Sequence, residues 1–122
     1  MFSILTYRLV HLLGLGLTLM GIAALTMHAR TGSGNPSARK LAAASHGIGL
    51  LLMLVGGFGA MARMGIGWPW PPWLMIKMVV WIALGGLPTV VKKKPQLATA
   101  MWWTTFALLA LAAYMAGFKP LV

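Results

Sequence analysis

Three histidines are the side chains of this chain with the widest chemical range, since imidazole binds haem iron and transfers protons near neutral pH. His11, His28 and His46 all lie within or at the ends of long apolar segments. His11 and His46 are each followed three residues later by a glycine, Gly14 and Gly49. An imidazole beside a glycine that admits a flat macrocycle is typical of b-type membrane cytochromes. The pattern therefore raises the hypothesis of a haem b site formed by His46 with His11 or His28.

The second interpretation is structural: each histidine donates a hydrogen bond to Thr18, Ser45 or a backbone carbonyl. Counted from the expected helix ends, His11 lies ~10 Å inside one membrane surface and His46 ~7 Å inside the other. Across a hydrocarbon core of ~30 Å this leaves the two rings offset by ~13 Å. We therefore expect no cofactor and keep haem b as the alternative. We also expect no other metal, because the chain has no Cys, Asp or Glu to complete a site.

Basic residues are the second group with binding chemistry, since the chain has ten Lys and Arg but no Asp or Glu. Arg8, Arg63 and Lys77 fall at helix ends on the membrane side that holds both termini, here called side A. They predict a site for an anion, which is a lipid phosphate, a quinone-like headgroup, a propionate or a carboxylate of a partner. In the alternative interpretation, each cation snorkels separately to lipid headgroups.

The missing carboxylates and thiols argue against several classes of function. General acid–base and nucleophilic catalysis usually depend on a carboxylate, a Cys or an oriented Ser–His pair. Ser45 and His46 are adjacent, but side chains at i and i+1 of a helix diverge. A proton-coupled transporter needs an intramembrane acid, and a nucleic-acid interface needs a contiguous basic face. We therefore predict that the protein is not an enzyme and binds no nucleic acid.

The elements that position these residues are membrane spans. Of the residues in the chain, 60% are hydrophobic and only 8% are charged, whereas about 25% are charged in soluble domains. Four stretches approach the roughly 20 apolar residues that a spanning helix needs: 4–27, 41–62, 73–91 and 97–118. The first is too long for a signal-peptide core and lacks a good cleavage site. We predict an all-α, antiparallel four-transmembrane-helix bundle that forms a single domain, 1–122, with Pro72 opening the third helix.

The distribution of Lys and Arg predicts the orientation of the bundle, because basic loops stay in the cytoplasm. Side A has four cations, Arg8, Arg63, Lys77 and Lys119. Side B, which holds the first and third connections, has six: Arg30, Arg39, Lys40, Lys92, Lys93 and Lys94. Both termini are therefore expected on the periplasmic side. An aromatic belt of Trp68, Trp70 and Trp73 is expected on side A, with Trp102 and Trp103 near side B.

Small residues at helical spacing predict the seams between helices, because they allow backbones in a membrane to approach closely. Three stripes have this pattern: Tyr7, His11, Gly14, Thr18, Gly21, Leu25 and His28 in the first helix; Ala42, His46, Gly49, Met53, Gly56, Ala60 and Arg63 in the second; and Ala100, Trp103, Ala107, Ala110, Tyr114 and Gly117 in the fourth. They predict a compact bundle in which the first and second helices pair tightly.

Three short segments resemble a known family. They are Tyr7-Arg8-Leu9-Val10-His11, Ser45-His46-Gly47, and Pro72-Trp73-Leu74 with Lys77 and Gly85. Over about residues 5–90 the spacing is similar to that of the SirB-like family of small four-helix bacterial inner-membrane proteins. The resemblance implies a bacterial inner-membrane bundle.

Taken together, these features favour a non-catalytic accessory or structural subunit of a larger bacterial membrane complex, of the electron-transfer or energy-converting kind. Its partners would be acidic membrane subunits and lipids, preferentially anionic ones. The first alternative is a small haem- or quinone-binding electron carrier. The second is a free-standing oligomeric bundle that organises lipids.

Overall fold

The computed structural model describes residues 3–32 and 35–118, and four long helices make up nearly all of this part of the chain. They are α1 (Ile4–Thr31), α2 (Pro36–Arg63), α3 (Pro72–Lys93) and α4 (Ala98–Phe118), with a short 3₁₀ turn at Pro95–Leu97 before α4. The described part contains helices and connecting turns but no strand, which confirms the predicted all-α fold. By length and composition, all four helices are able to cross a membrane. The protein is thus a multi-pass membrane protein. Lys119 and the Ser33–Gly34 part of the first turn lie outside the described residues.

Helices α1 and α2 are longer than their apolar segments predicted. The expected bounds were 4–27 and 41–62, but α1 continues to Thr31 and α2 begins at Pro36. Hydrophobicity marks only the stretch inside lipid, whereas local capping marks where a helix ends. Asn35 accepts a hydrogen bond from the Ala38 backbone N–H at 3.1 Å and starts α2, and left-handed Gly32 (φ 68°) ends α1. Each helix has 28 residues, about 42 Å at 1.5 Å per residue, and so extends into the headgroup regions.

The second hairpin is shorter and starts as the sequence predicts. Pro72 is the first residue of α3, where its missing N–H costs no helical hydrogen bond. Helix α3 has 22 residues and α4 has 21, about 33 Å and 32 Å, close to the thickness of the hydrocarbon core. The two hairpins therefore differ in length by about 10 Å.

Helices α1 and α3 each contact all three of the other long helices. The closest pairing is that of α1 with α2, whereas the backbones of α2 and α4 do not approach each other closely within the described residues. The larger hydrophobic cluster lies among α1, α3 and α4 and contains Ile22, Val80, Leu84, Leu87 and Val91. A smaller cluster at side A joins Met61, Trp73, Leu74 and Met115.

Burial in the smaller cluster changes one expectation. Trp73 is only 7% exposed, so it belongs to the core rather than to the aromatic belt predicted for side A. Trp68 is exposed and packs edge-on against Trp70, with ring centroids 5.7 Å apart. At the other end, Trp102 and Trp103 are both exposed on the first turns of α4.

Candidate functional site

Glycines bring the backbones of α1 and α2 into direct contact, and this seam positions two of the three histidines. A Cβ atom built on Gly14 would lie 2.5 Å from the Met53 backbone nitrogen, and one on Gly21 would lie 2.6 Å from that of His46. No side chain larger than hydrogen fits at such a distance. The glycines that follow the histidines therefore admit a neighbouring helix backbone. The predicted close pairing of the first two helices is confirmed.

The register of this seam sets the depth of each histidine. Gly56 lies opposite His11, since its Cβ would fall 2.5 Å from the His11 backbone nitrogen, while Gly21 lies opposite His46. Positions 11 and 21 of α1 are ten residues apart, so the two histidines differ in depth by about 15 Å. Sequence reasoning estimated ~13 Å, and the structure gives an offset of the same size.

In this arrangement, His46 does not fit a shared haem with either His11 or His28. Two axial ligands of one iron must lie at the same depth, which excludes His11 together with His46. His28 lies seven residues beyond Gly21, the residue opposite His46, and so about 10 Å from the depth of His46. Among the described residues, no three His, Cys, Asp or Glu side chains come together as a metal site. The electron-carrier hypothesis stays a prediction.

His11 is half-buried and hydrogen-bonded across the seam. Its Nδ1 atom donates to the Met53 carbonyl at 2.9 Å. About two turns further along α1, the Thr18 hydroxyl donates to the Gly14 carbonyl at 2.8 Å and lies 3.5 Å from the Met53 sulfur. The backbone-carbonyl partner is one of those expected for a structural histidine, and Thr18 is not its partner.

His46 compensates for a proline in the neighbouring helix. Pro88 lies inside α3, and since proline has no N–H, the Leu84 carbonyl four residues earlier loses its helical partner. The His46 Nε2 atom donates to that carbonyl at 2.9 Å. His46 is 8% exposed and Leu84 is 1% exposed, so without this bond the carbonyl would be buried and unpaired in an apolar environment. The hydrogen bond gives His46 a specific structural task.

Trp81 makes the converse hydrogen bond and was not singled out from the sequence. Its indole Nε1 on α3 donates to the Leu50 carbonyl on α2 at 3.1 Å. Leu50 lies one turn beyond His46, so each helix of the antiparallel pair donates one side-chain N–H to a carbonyl of the other. A tryptophan in the middle of a span, away from the interfaces, needs an acceptor for its N–H. The position of Trp81 in the middle of the third apolar segment is thus the feature of the sequence that indicates such a hydrogen bond.

The remaining candidate residues lie at the ends of the helices. His28 is half-buried on the last turns of α1, and Arg8 and Arg63 are exposed at side A. The half-buried Lys77 lies close enough to His11 for an electrostatic interaction between them. Of the candidate set, this pair is near enough to interact, while Arg8 and Arg63 are exposed to the surroundings of the bundle. Ser45 bonds the Leu41 carbonyl at 2.9 Å instead of His46.

The stripe predicted as a seam on α4 has a different environment from the other two. All six of its residues are exposed: Ala100, Trp103, Ala107, Ala110, Tyr114 and Gly117. The expectation that this stripe packs within the bundle is wrong, because α4 turns Met101, Leu108, Ala112 and Met115 toward α1 and α3 instead. Trp103 packs edge-on against Phe106 on the outer surface, with centroids 6.4 Å apart. The stripe therefore places its small residues on the outer surface of the bundle.

No protein-family model, curated protein or solved structure matches this chain.

Proposed function

We propose that this protein is a non-catalytic accessory subunit of a larger bacterial inner-membrane complex, and that it docks on its neighbours through the exposed stripe of α4. The observation that carries the proposal is the contrast between stripes of similar spacing. Those of α1 and α2 bury their small residues against each other, whereas Ala100, Ala107, Ala110 and Gly117 face outward. Small residues on an outer face allow the backbone of another membrane helix to approach.

Charge supports a partner of a particular kind. The chain has a formal net charge of +10 and no carboxylate side chain, so its cations find no Asp or Glu within it. A docked subunit with acidic residues near the membrane surfaces would provide these partners, and so would anionic lipids. Arg8, Arg63 and Lys77 are the candidate residues for such anions at side A. Complexes that convert energy or transfer electrons are the proposed setting.

The location and orientation belong to the same proposal. The resemblance to the SirB-like family supports the bacterial inner membrane. The excess of Lys and Arg at side B supports a cytoplasmic side B and periplasmic termini. The hydrogen-bonded histidines support a structural role over catalysis, because His11 and His46 each already bond a backbone carbonyl.

Native mass spectrometry of the protein, gently extracted from its own membrane, tests the docking role. The wild type should occur in an assembly much larger than 13.1 kDa that contains acidic membrane subunits. The double variant Ala107→Leu/Ala110→Leu should be released from it, because two leucines block close helix approach. The matched control is Ala24→Leu/Ala44→Leu, which enlarges two exposed alanines on α1 and α2 and should leave the assembly intact.

Other masses would overturn the proposal in distinguishable ways. A single chain with lipids would remove the accessory-subunit role, and a multiple of 13.1 kDa would identify the free-standing oligomeric bundle. An added haem mass would support the electron carrier instead.

A further inference from the structure

A cleft between the end of α1 and the start of α4 combines a cation, two hydroxyls and two indoles. Its volume is about 140 Å³. It lies at side B, opposite the end of the bundle that holds Arg8, Arg63 and Lys77. Beside Ala98, the residues that line it are Thr26, Met27, Arg30, Thr99, Trp102 and Trp103.

Arg30 is held in position at the mouth of this cleft. Its Nη1 atom donates a hydrogen bond to the Thr99 hydroxyl at 3.0 Å, which connects α1 to α4. A guanidinium has five N–H donors, so four remain for an anion, and their planar arrangement matches phosphate oxygens. The Thr26 hydroxyl already donates to the Ile22 carbonyl at 2.7 Å. The polar side of the cleft is therefore formed by Arg30 and Thr99.

The cleft lies at the depth of the lipid headgroups. Arg30 is the second-last residue of α1, whose length of about 42 Å exceeds the hydrocarbon core. Helix α3 ends at Lys93 and α4 begins at Ala98, so Lys92, Lys93 and Lys94 lie at the same end of the bundle as the start of α4. Trp102 and Trp103 are 41% and 62% exposed, and tryptophan is enriched at this membrane interface.

We propose that this cleft binds one anionic phospholipid. Its phosphate accepts hydrogen bonds from the free N–H groups of Arg30, and the start of an acyl chain lies along Met27 and Trp102. The cleft is too small for a helix about 10 Å across, but it has room for one phosphate group with the rest of the lipid lying outside it, which favours a lipid over a docked protein segment. The site rests on the lipid preference within the proposed function, but it is independent of docking through α4.

Native mass spectrometry of the purified full chain, with phosphatidylglycerol or phosphatidylcholine added to the detergent, tests this site. The wild type should retain phosphatidylglycerol over phosphatidylcholine by roughly tenfold, and Arg30→Gln should remove most of that preference. The matched control is Arg39→Gln, an exposed arginine of α2 at the same membrane side, which should keep it. Thr99→Val keeps the size of the side chain and removes the hydroxyl that holds Arg30, so it should weaken the preference by a smaller factor.

Each contrary outcome has a separate meaning. Equal losses in Arg30→Gln and Arg39→Gln would show that only net charge matters and would overturn the site. Competition by inorganic phosphate at the concentration of the lipid would show a site for free phosphate. A wild type without any preference for phosphatidylglycerol would overturn both this site and the lipid preference of the proposed function, but not docking through α4.

Discussion

The α1–α2 seam and the outer face of α4 have similar sequence patterns and opposite environments. In the seam, Gly14 and Gly49 are buried between two backbones in contact, and no larger side chain fits. On α4, Ala107 and Ala110 have a comparable helical spacing and remain exposed. The comparison shows that small residues mark surfaces suited to close helix approach, while the identity of the approaching helix depends on the rest of the fold.

The largest expected effect comes from filling the α1–α2 seam. Gly49→Ala places a methyl group against the backbone nitrogen of Thr18 and 2.6 Å from the Gly14 carbonyl oxygen. We expect a loss of about 3 kcal/mol in the free energy of unfolding, because neither backbone is able to withdraw. Equilibrium unfolding in mixed micelles, followed by circular dichroism, measures it.

The control for this substitution is two residues away on the same helix. A Cβ at Gly47 meets nothing within 4 Å, so Gly47→Ala should be neutral or stabilising by up to about 1 kcal/mol, as expected from helix propensity. If the two variants had equal stability, the close packing of the seam would be contradicted.

The next effect concerns the polar contacts between α2 and α3. His46→Ala leaves the Leu84 carbonyl buried without a donor, so we expect a loss of about 2 kcal/mol in the free energy of unfolding. In a Pro88→Ala background, the residue at position 88 regains an N–H, and the cost of His46→Ala should fall by about 1 kcal/mol. The same unfolding measurement on the wild type, the two single variants and the double variant gives the coupling between positions 46 and 88.

His11 provides the control for that cycle. Its acceptor, the Met53 carbonyl, faces Gly57 one turn later and so keeps a normal helical donor. His11→Ala and Pro88→Ala should therefore be additive within about 0.5 kcal/mol. If His46 were also additive with Pro88, its compensating role would be ruled out.

The aliphatic core among α1, α3 and α4 should tolerate change better than the glycine seam. Leu84→Met keeps the side-chain volume almost unchanged at a position that is 1% exposed. We expect it to cost no more than about 1.5 kcal/mol, since flexible side chains repack where two backbones in contact do not. A loss as large as that of Gly49→Ala would remove the distinction between the two regions.

The smallest effect on the isolated chain is expected at the outer face of α4. Ala107→Leu/Ala110→Leu should change the free energy of unfolding of the purified protein by no more than about 0.5 kcal/mol, as is usual for exposed positions. The same variant should lose its place in the native assembly. A marked loss of stability in the isolated protein would instead assign the stripe to packing within the chain.

Much of the fold follows from the sequence because apolar length and loop chemistry are local properties. The four spans and the start of α3 at Pro72 were predicted in this way, and the glycine spacing predicted the close pairing of α1 with α2. The full lengths of α1 and α2 were not, because capping by Asn35 and Gly32 extends them beyond the apolar segments.

The polar contacts required the tertiary structure. His46 was recognisable as a histidine in need of a partner, but the loss of the Leu84 donor depends on Pro88, 42 positions further along the chain. The cleft at Arg30 has the same origin, since Thr99 is 69 residues away. The sequence also did not predict that the α4 stripe faces outward, because the packing of Leu108 and Met115 against α3 decides which face of α4 is buried.

Site-specific photo-crosslinking in intact native membranes tests most directly whether the outer face of α4 meets another protein. A photoreactive side chain at position 107 should yield an adduct with a different membrane polypeptide that has Asp or Glu near the membrane surface. The same side chain at position 24, an exposed alanine of α1, should yield only lipid adducts. Lipid adducts alone at both positions, or an adduct only with a second copy of this chain, would contradict the docking role.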